Sequence, residues 1–569
     1  MSITRYLKSH RYYLGATIIL SSLVVALGYV VTGPTGPDDI FITYWPVETL
    51  ASKGEILNYN LDRVEQSSSL LQVISMSSLV YFFPESTILI GHLYSILGCI
   101  LSIYIVFLLA HKMKVNWVYV PSLLTVTLPF FVHWSFSGSD ITISTFLITW
   151  WVLVAASYIE NPSSRCDFYS FFSLFAVTLL LALSRPEMPI VILCVVTGIA
   201  GIQLIRKVFG NRDTRLIKLV GLGASTFTAI AALFSFRYVY FGMIFPQPVY
   251  AKNTSLSLLS IREGVGYFLG YNVFSEINLL GFTPFSLLSL FFASSFVFTA
   301  YYLISSENKN TYVAITLLVL FTYWSFFVLT GRDWMPAYRF WVPTIPLSFC
   351  ILMLFLEGLI HPKGRRYALS FVFLIMSACW VNYVADSGKK GVSLWNRNQY
   401  SNVNNHVKDY VWFIKYNRFL PQQVAEFNTI EEAFSLIEGR LASLHDEAGL
   451  EMYLTAKKFG SKVSMYDTRG LTHRELNSCD HRELDGSVYG YNFLPSDVAG
   501  SHIGVLEECF PSIDALVLYR SIELDDASKR YFRREGYTCS VENEEAVNRL
   551  LVNINSLNEK SKPHVCTAL

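Results

Sequence analysis

The chain has 569 residues, of which 52% are hydrophobic, 15% aromatic and only 15% charged. Soluble domains are about one-quarter charged, so this composition excludes a chain surrounded by water on all sides, and it equally excludes disorder, coiled coil and collagen. The 44 Lys and Arg against 43 Asp and Glu leave a net charge of +1, so no basic excess points to a nucleic-acid partner. The composition is typical of a polytopic membrane protein.

The first apolar run covers residues 12–31 and follows Arg5, Lys8 and Arg11. A signal peptide begins in the same way, but this run is about 20 residues long and no A-x-A cleavage site follows it. We interpret it as a retained transmembrane helix with its N-terminus inside. The further predicted spans are 87–110, 116–133, 140–158, 168–184, 188–205, 215–238, 278–304, 311–330, 340–359 and 367–385.

Basic residues fill the loops that this order of spans places inside, as the positive-inside rule expects. They are Lys112, Lys114, Arg165, Arg206, Lys207, Arg212, Arg215, Lys218, Lys309, Lys363, Arg365 and Arg366. A total of about eleven spans, each crossing a core of ~30 Å, then puts the C-terminus outside. We predict an α-helical transmembrane domain over 1–385 and an outer soluble domain over 386–569.

The residues after 385 are polar, and only short apolar stretches interrupt them. Runs at 462–466 and 515–519 predict buried strands, and 430–445 predicts a helix, so we expect an α/β domain. The nine cysteines form no C-x-x-C pair, which argues against a zinc ribbon or a thioredoxin-type site. In an oxidising compartment, one or two disulfides could join four of them: Cys479, Cys509, Cys539 and Cys566.

Charged residues beside the spans gather on the outer side. They are Asp38, Asp39, Asp140, Arg185, Glu187, Arg237, Lys252, Arg332, Asp333 and Arg339. A charge costs about 2.5–3.5 kcal/mol at the centre of a transmembrane helix, so charges near the bilayer need partners or water. Each Arg could simply extend to the nearest interface. Outer loops should however lack Arg and Lys, and here these residues lie beside acids, which indicates a site.

Asp38 and Asp39 follow the first span and the turn-like segment 33–37. A carboxylate in this place could accept a proton from an attacking hydroxyl, or hold a divalent cation such as Mg²⁺ or Mn²⁺. The alternative is that the pair caps a helix over residues 40–52, and an Asp-Asp pair alone leaves both interpretations open.

The basic residues on the same side suit a phosphate, because Arg and Lys donate hydrogen bonds to phosphate oxygens. The candidates are Arg185, Lys252, Arg332 and Arg339. A phosphate at the outer leaflet would be the head of a lipid carrier. Nearby aromatic residues fit either a surface for sugar stacking or the ordinary aromatic belt of an interface: Trp134, Tyr250, Trp334, Tyr338 and Trp341.

Two stretches, DDIFITYWPVETLASKGEILNYN at 38–60 and RVEQSSSL at 63–70, resemble the first outer loop of GT-C glycosyltransferases. The most similar members are the mycobacterial terminal arabinofuranosyltransferase of cell-wall arabinan and its Gram-negative relatives. Some of those relatives attach arabinofuranose to type IV pilin. Further segments match in family order: Ser137-Gly138, LSRPE at 183–187, YFGMIFPQPVYAK at 240–252, GRDWMPAYRF at 331–340, HDEAGL at 445–450 and VSMYDTRGL at 463–471.

Three positions of the first loop depart from the family pattern. Trp45 stands where the family has Arg, Glu48 where it has Asn, and Gln66 where Gly follows the acid equivalent to Glu65. These departures flank the expected sugar site, so the transferred sugar could be arabinofuranose, mannose or another hexose.

The resemblance implies a GT-C enzyme that takes a sugar from a polyprenyl phosphate at the outer leaflet and transfers it, with inversion, to a hydroxyl. One of Asp38 and Asp39 would be the general base. The implied phosphate ligands are Arg185, Lys252, Arg332 and Arg339, and the implied substrate-binding residues are Glu65, Glu187, Tyr250, Asp333 and Trp334. The acceptor would be pilin or a cell-envelope glycan, and the location a bacterial inner membrane with a periplasmic C-terminal domain.

A transporter or flippase of lipid-linked sugar is the alternative class. It predicts charges on both faces and an internal repeat, and the sequence has neither. A membrane scaffold without activity is a third interpretation, against which Asp38, Asp39 and Arg185 argue. An O-antigen ligase or polymerase would carry a large outer loop between spans, whereas here the soluble part is C-terminal.

Overall fold

A computed structural model describes residues 3–28, 39–160, 168–208, 216–251, 258–270, 283–305, 310–331, 337–359, 362–389, 441–445, 449–467, 472, 515–518, 537–542 and 549–553. The chain divides into two compact units. Unit 1 consists of Met1–Thr35, Leu89–Phe236 and Leu256–Trp395, and unit 2 of Gly36–Ile88, Arg237–Ser255 and Asn396–Leu569. This division differs from the predicted boundary after residue 385, because two segments of the N-terminal part group with the C-terminal residues.

The helices are α1 Ile3–Leu27, α2 Ile40–Lys53, α3 Leu70–Phe82, α4 Thr87–Lys112, α5 Val120–Val126, α6 Pro129–Ser135, α7 Ile141–Glu160, α8 Phe168–Ser184, α9 Met188–Val208, α10 Leu216–Phe241, α11 Gln247–Ala251, α12 Leu258–Phe268, α13 Pro284–Ser305, α14 Thr311–Thr330, α15 Ile345–Leu359, α16 Pro362–Lys389 and α17 Leu450–Phe459.

In the described ranges, five of these helical segments are long and apolar enough to cross a membrane: 84–112, 141–160, 217–241, 284–301 and 311–330. Shorter apolar helices accompany them. On α4, Leu89, Leu93 and Leu97 lie one turn apart and are 43%, 55% and 49% exposed. Such an exposed apolar stripe fits contact with lipid rather than with water. The chain is therefore a multi-pass membrane protein, and the total of eleven spans stays a prediction.

The predicted span 116–133 is not a single helix, and this expectation was wrong. Two seven-residue helices, α5 and α6, occupy the segment. Leu128 between them is extended, with φ −83° and ψ 125°. The reason is Pro129, because a proline removes a backbone donor and excludes the helical conformation from the residue before it. Hydropathy alone could not show this break.

Aromatic side chains form the centre of unit 1. The Trp341 ring is fully buried, and its centroid lies 5.1–5.9 Å from the centroids of Phe268, Phe285, Phe292, Trp324 and Phe327. These five rings come from α12, α13 and α14, so the three helices pack around Trp341. Close backbone approach assists the packing, because a Cβ on Gly264 of α12 would overlap the Val328 carbonyl oxygen of α14.

In unit 2 the described strands form one mixed sheet, in the order β2-β1-β3-β5-β4. The strands are β1 Leu441–His445, β2 Val463–Asp467, β3 Ala515–Leu518, β4 Tyr537–Glu542 and β5 Arg549–Asn553. β1 runs parallel to β2 and β3, and β5 runs antiparallel to β3 and β4. Between β1 and β2 the chain forms α17, which ends at Gly460 with φ 57°.

Strands lie at 463–467 and 515–518, where the sequence predicts them. The predicted helix at 430–445 is wrong for residues 441–445, which form β1, and the rest of it lies outside the described residues. β1 pairs on both sides, with β2 and β3, so the sheet decides its conformation. The α/β class of the whole domain stays a prediction. Of the four cysteines, only Cys539, on β4, lies in the described part.

Candidate functional site

The first loop contains α2, in which residues 40–47 are all buried. Asp39 immediately precedes α2, is half-buried, and makes no side-chain capping bond to that helix. Capping was the structural alternative for the acidic pair, and Asp39 does not provide it. Asp38 lies outside the described residues. The general-base role of either carboxylate stays a prediction.

Two of the departures from the family pattern fix the first loop onto α2. The indole Nε1 of Trp45 donates to the carbonyl oxygen of Asn58 at 2.7 Å. The Gln66 amide donates to the Ile42 carbonyl at 2.8 Å, and its Oε1 accepts from the Tyr59 backbone N–H at 3.2 Å. Both side chains are buried, so these bonds hold the loop in one conformation.

The third departure, Glu48, connects α2 to the C-terminal part of unit 2. Its Oε1 accepts from the Thr87 hydroxyl at 2.8 Å, from the Tyr453 hydroxyl, and from Lys457 Nζ at 3.3 Å. The amide of Asn58 adds a second connection by donating to the Thr472 carbonyl at 2.9 Å. All three departures therefore make structural contacts within unit 2.

Glu65, an expected substrate ligand, forms a buried ion pair with Arg237. The guanidinium donates to both carboxylate oxygens, with Nε to Oε2 and Nη2 to Oε1 each at 2.8 Å. The side chains are 2% and 0% exposed. Burial raises the pKa of Glu65, while the charge of Arg237 opposes the rise. Both oxygens of Glu65 thus accept from Arg237, and the ion pair holds the first loop. A substrate-binding role for Glu65 stays a prediction.

A second charged cluster lies in unit 1, between α8 and α9 and at the start of α7. Arg185 Nε donates to Glu187, and its Nη1 lies 3.6 Å from Asp140 Oδ2. The Tyr323 hydroxyl donates to Glu187 Oε1 at 3.4 Å. All four side chains are buried. Desolvation by burial raises the pKa of Asp140. The positive charge of Arg185 opposes this rise, and the negative charge of Glu187 reinforces it.

This cluster changes the expectation for Arg185 as a phosphate ligand. Two carboxylates already balance its charge, so a phosphate would compete with Glu187 and Asp140 for the guanidinium. Arg339 is half-buried, and its charge also acts on Asp140. Its guanidinium lies 5.4 Å from the centroid of the Phe340 ring.

Tyr250 lies on α11 in unit 2 and is 36% exposed. Its ring centroid is 6.4 Å from that of Phe245. The other expected site residues, Lys252, Arg332, Asp333 and Trp334, lie outside the described residues. The structure thus brings Glu65 and Arg237 together in unit 2, and Arg185 and Glu187 together in unit 1.

Three residues to which the sequence assigned no specific role belong to these clusters: Asp140, Arg237 and Tyr323. Asp140 and Arg237 carry a sequence signal, since both are charges at the end of a predicted span, on the side that the sequence predicts to be outer. Tyr323 carries none, because it lies in an apolar run. Among the described residues, no group of three or more His, Cys, Asp and Glu side chains could hold a metal ion. A divalent cation therefore stays a prediction based on Asp38 and Asp39.

The long apolar helices define a multi-pass membrane protein. Two solved structures of ArnT from Cupriavidus metallidurans are similar to the chain. The apo structure is 13% identical, covers 94% of this chain and 97% of its own, and has a TM-score of 0.50. The structure bound to undecaprenyl phosphate is 10% identical, covers 97% and 98%, and has a TM-score of 0.48.

The likeness to the apo structure gives the fold of the chain along nearly its whole length. It supports the GT-C fold that the sequence resemblance implies. No family model and no curated protein matches the chain.

Proposed function

We propose that the chain is an integral-membrane, inverting glycosyltransferase that uses a polyprenyl-phosphate sugar as donor. The observation that carries the proposal is the acidic pair of the first outer loop, which stands directly before α2 in a chain with the ArnT fold. Fold alone does not fix function, so the argument depends on this loop. The loop also carries the resemblance to the GT-C arabinofuranosyltransferases.

In the proposed reaction, one carboxylate of Asp38 and Asp39 accepts the proton of the acceptor hydroxyl. The hydroxyl oxygen bonds to the anomeric carbon while the bond from that carbon to the phosphate oxygen breaks. The leaving lipid phosphate takes the electron pair, and cationic side chains stabilise its charge. Lys252, Arg332 and Arg339 are the proposed phosphate ligands, as the resemblance implies. Arg185 would join them only by exchanging a carboxylate partner.

Glu187 and Tyr323 have a proposed supporting role, since Glu187 accepts from Arg185 and Tyr323 of α14 donates to Glu187. Tyr250, Asp333 and Trp334 remain the proposed sugar or acceptor contacts, while Glu65 also positions the first loop. We further propose that the active site faces the periplasm of a bacterial inner membrane, with residues 386–569 on that side. The basic residues in the loops predicted to lie inside support this orientation, as the positive-inside rule expects.

D-arabinofuranose is the proposed sugar, because the first loop resembles arabinofuranosyltransferases more than other GT-C enzymes. Pilin or a cell-envelope glycan is the proposed acceptor. The contacts of Trp45, Glu48 and Gln66 within unit 2 account for those departures structurally. These three positions therefore give no argument for a different sugar.

The experiment supplies the purified protein with polyprenyl-phosphate arabinofuranose or polyprenyl-phosphate mannose, a crude envelope acceptor, and either Mg²⁺ or EDTA. The proposal predicts that one donor is consumed and that free polyprenyl phosphate appears in equal amount with the transferred sugar. Intact donor moved across a vesicle membrane without cleavage would instead identify a transporter. Consumption of mannose donor alone would retain the enzyme class and reject arabinofuranose.

A further inference from the structure

Unit 1 contains a cavity that the proposed reaction does not use. Its volume is about 590 Å³, and it lies where α13, α14 and α15 meet the ends of α4 and α7. Phe298, Leu303 and Phe355 contribute apolar walls, while Lys112 and Lys114 stand in its lining at the end of α4. The volume lies in the range of about 300–1,000 Å³ that small-molecule sites occupy.

The two lysines are available for an anion. Both are exposed, and in the described part of the chain neither ammonium group forms an ion pair. Lys112 Nζ lies 5.8 Å from the centroid of the Tyr312 ring, a contact that leaves its hydrogen-bond donors unused. The cavity thus offers two donors suited to a phosphate.

Glu357, one of the two acids of the lining, is engaged by neighbours other than these lysines. Both carboxylate oxygens of Glu357 are occupied: Oε2 accepts from the backbone N–H and the amide of Asn116 at 2.9 and 3.0 Å, and Oε1 accepts from the Trp117 N–H at 3.0 Å. Glu160 is the other acid of the lining and is exposed. Among described residues it has no ion-pair partner, so it can attract an amine.

A buried hydroxyl also lines the cavity. Thr299 is 6% exposed, and its Oγ1 has no hydrogen-bond partner among the described residues. A helical threonine ordinarily bonds to the carbonyl one turn earlier, and a buried polar atom without a partner costs free energy. An ester carbonyl or glycerol oxygen of a ligand would satisfy this hydroxyl.

We propose that the cavity binds one phospholipid with a phosphoethanolamine head group. Its phosphate contacts Lys112 and Lys114, its amine contacts Glu160, and an acyl chain lies along Phe298 and Leu303. A lipid fits better than free phosphate because the walls are apolar and because α13 and α14 are long enough to cross the bilayer. The proposal does not depend on the proposed glycosyltransferase activity.

The test is native mass spectrometry of the full-length protein in detergent, titrated with phosphatidylethanolamine, phosphatidylglycerol or inorganic phosphate. A lysine near lipid phosphate contributes about fivefold in affinity, so K112A and K114A should each weaken phosphatidylethanolamine binding about fivefold and the double variant more than tenfold. L303W should abolish binding by filling the cavity. R366A is the matched control, since Arg366 is exposed and lies outside the lining; it should bind within about twofold of wild type.

E160Q should reduce the preference for phosphatidylethanolamine over phosphatidylglycerol without removing binding. Bound lipid should raise the Tm of wild type and of R366A, and leave that of L303W unchanged. Wild-type binding retained in both L303W and the double lysine variant would overturn the proposal. Phosphate that displaces the lipid at equal affinity would also overturn it, because the site would then be a free anion site.

Discussion

The buried pair of Glu65 and Arg237 gives the sharpest stability prediction. Removing one partner leaves the other as an uncompensated charge, since both side chains are at most 2% exposed. Such losses cost about 3–5 kcal/mol, whereas replacing both partners by apolar residues of similar volume is close to neutral. We therefore expect Glu65→Gln and Arg237→Met each to be strongly destabilising, and the double variant Glu65→Leu/Arg237→Met to recover most of the loss.

The loss of stability in each variant can be measured by thermal unfolding in a single detergent. For a domain of about 150–250 residues, 1 kcal/mol moves Tm by about 2–4 °C, so each single variant should lose about 6–20 °C. The matched control is Glu55→Gln, because Glu55 lies in the same loop and forms an ion pair with Arg63 in which both side chains are exposed. Solvent screens an exposed ion pair, which therefore contributes little to stability, so the Tm of this variant should stay close to that of wild type.

The two single variants should differ in their pH dependence. In Arg237→Met the buried Glu65 can take up a proton, and burial raises its pKa in the folded state above the unfolded value of about 4.3. Protonation thus favours the folded state, and the Tm deficit against wild type should shrink as pH falls from 8 to 5.5. Glu65→Gln leaves a guanidinium that cannot lose its proton, so its deficit should stay constant. A Tm within about 1 °C of wild type in both single variants would contradict the expected cost of an unpaired buried charge.

Two further predictions concern packing. Tyr453→Phe removes the hydroxyl that donates to Glu48, so unfolding free energy should fall by about 0.5–1.5 kcal/mol, seen as a lower Tm; an unchanged Tm would contradict this bond. Gly264→Ala places a Cβ against the Val328 carbonyl and should cost at least about 1–3 kcal/mol. Its control, Gly223→Ala, meets no atom within 4 Å and should be neutral or stabilising; equal effects of the two would contradict the close approach of α12 and α14.

Sequence patterns were sufficient to predict secondary structure where a single physical requirement decides it. Long apolar runs predict the helices α4, α7, α10, α13 and α14, because only a helix satisfies its own backbone in a membrane. Patterns failed where tertiary pairing decides the conformation. β1 is a strand because it pairs with β2 and β3. At 116–133 hydropathy failed for a local reason, because Pro129 disfavours the helical conformation at Leu128 and separates α5 from α6.

The candidate site divides in the same way. The family resemblance implied Glu65 and Glu187 as substrate-binding residues, but nothing in the sequence pairs Glu65 with Arg237, 172 residues away. Partners at such separation follow from the fold and not from local spacing. The same holds for Tyr323, whose hydroxyl meets Glu187 from a helix 136 residues further on.

The measurement that tests the central claim most directly is the rate of sugar transfer by Asp38→Asn and Asp39→Asn at saturating donor. A general base contributes about 10²–10⁴-fold, so the variant of the residue that acts as base should lose at least about 100-fold in rate. Glu55→Gln, in the same loop, should transfer sugar at the wild-type rate. Full activity in both aspartate variants, with wild-type thermal stability, would contradict the account.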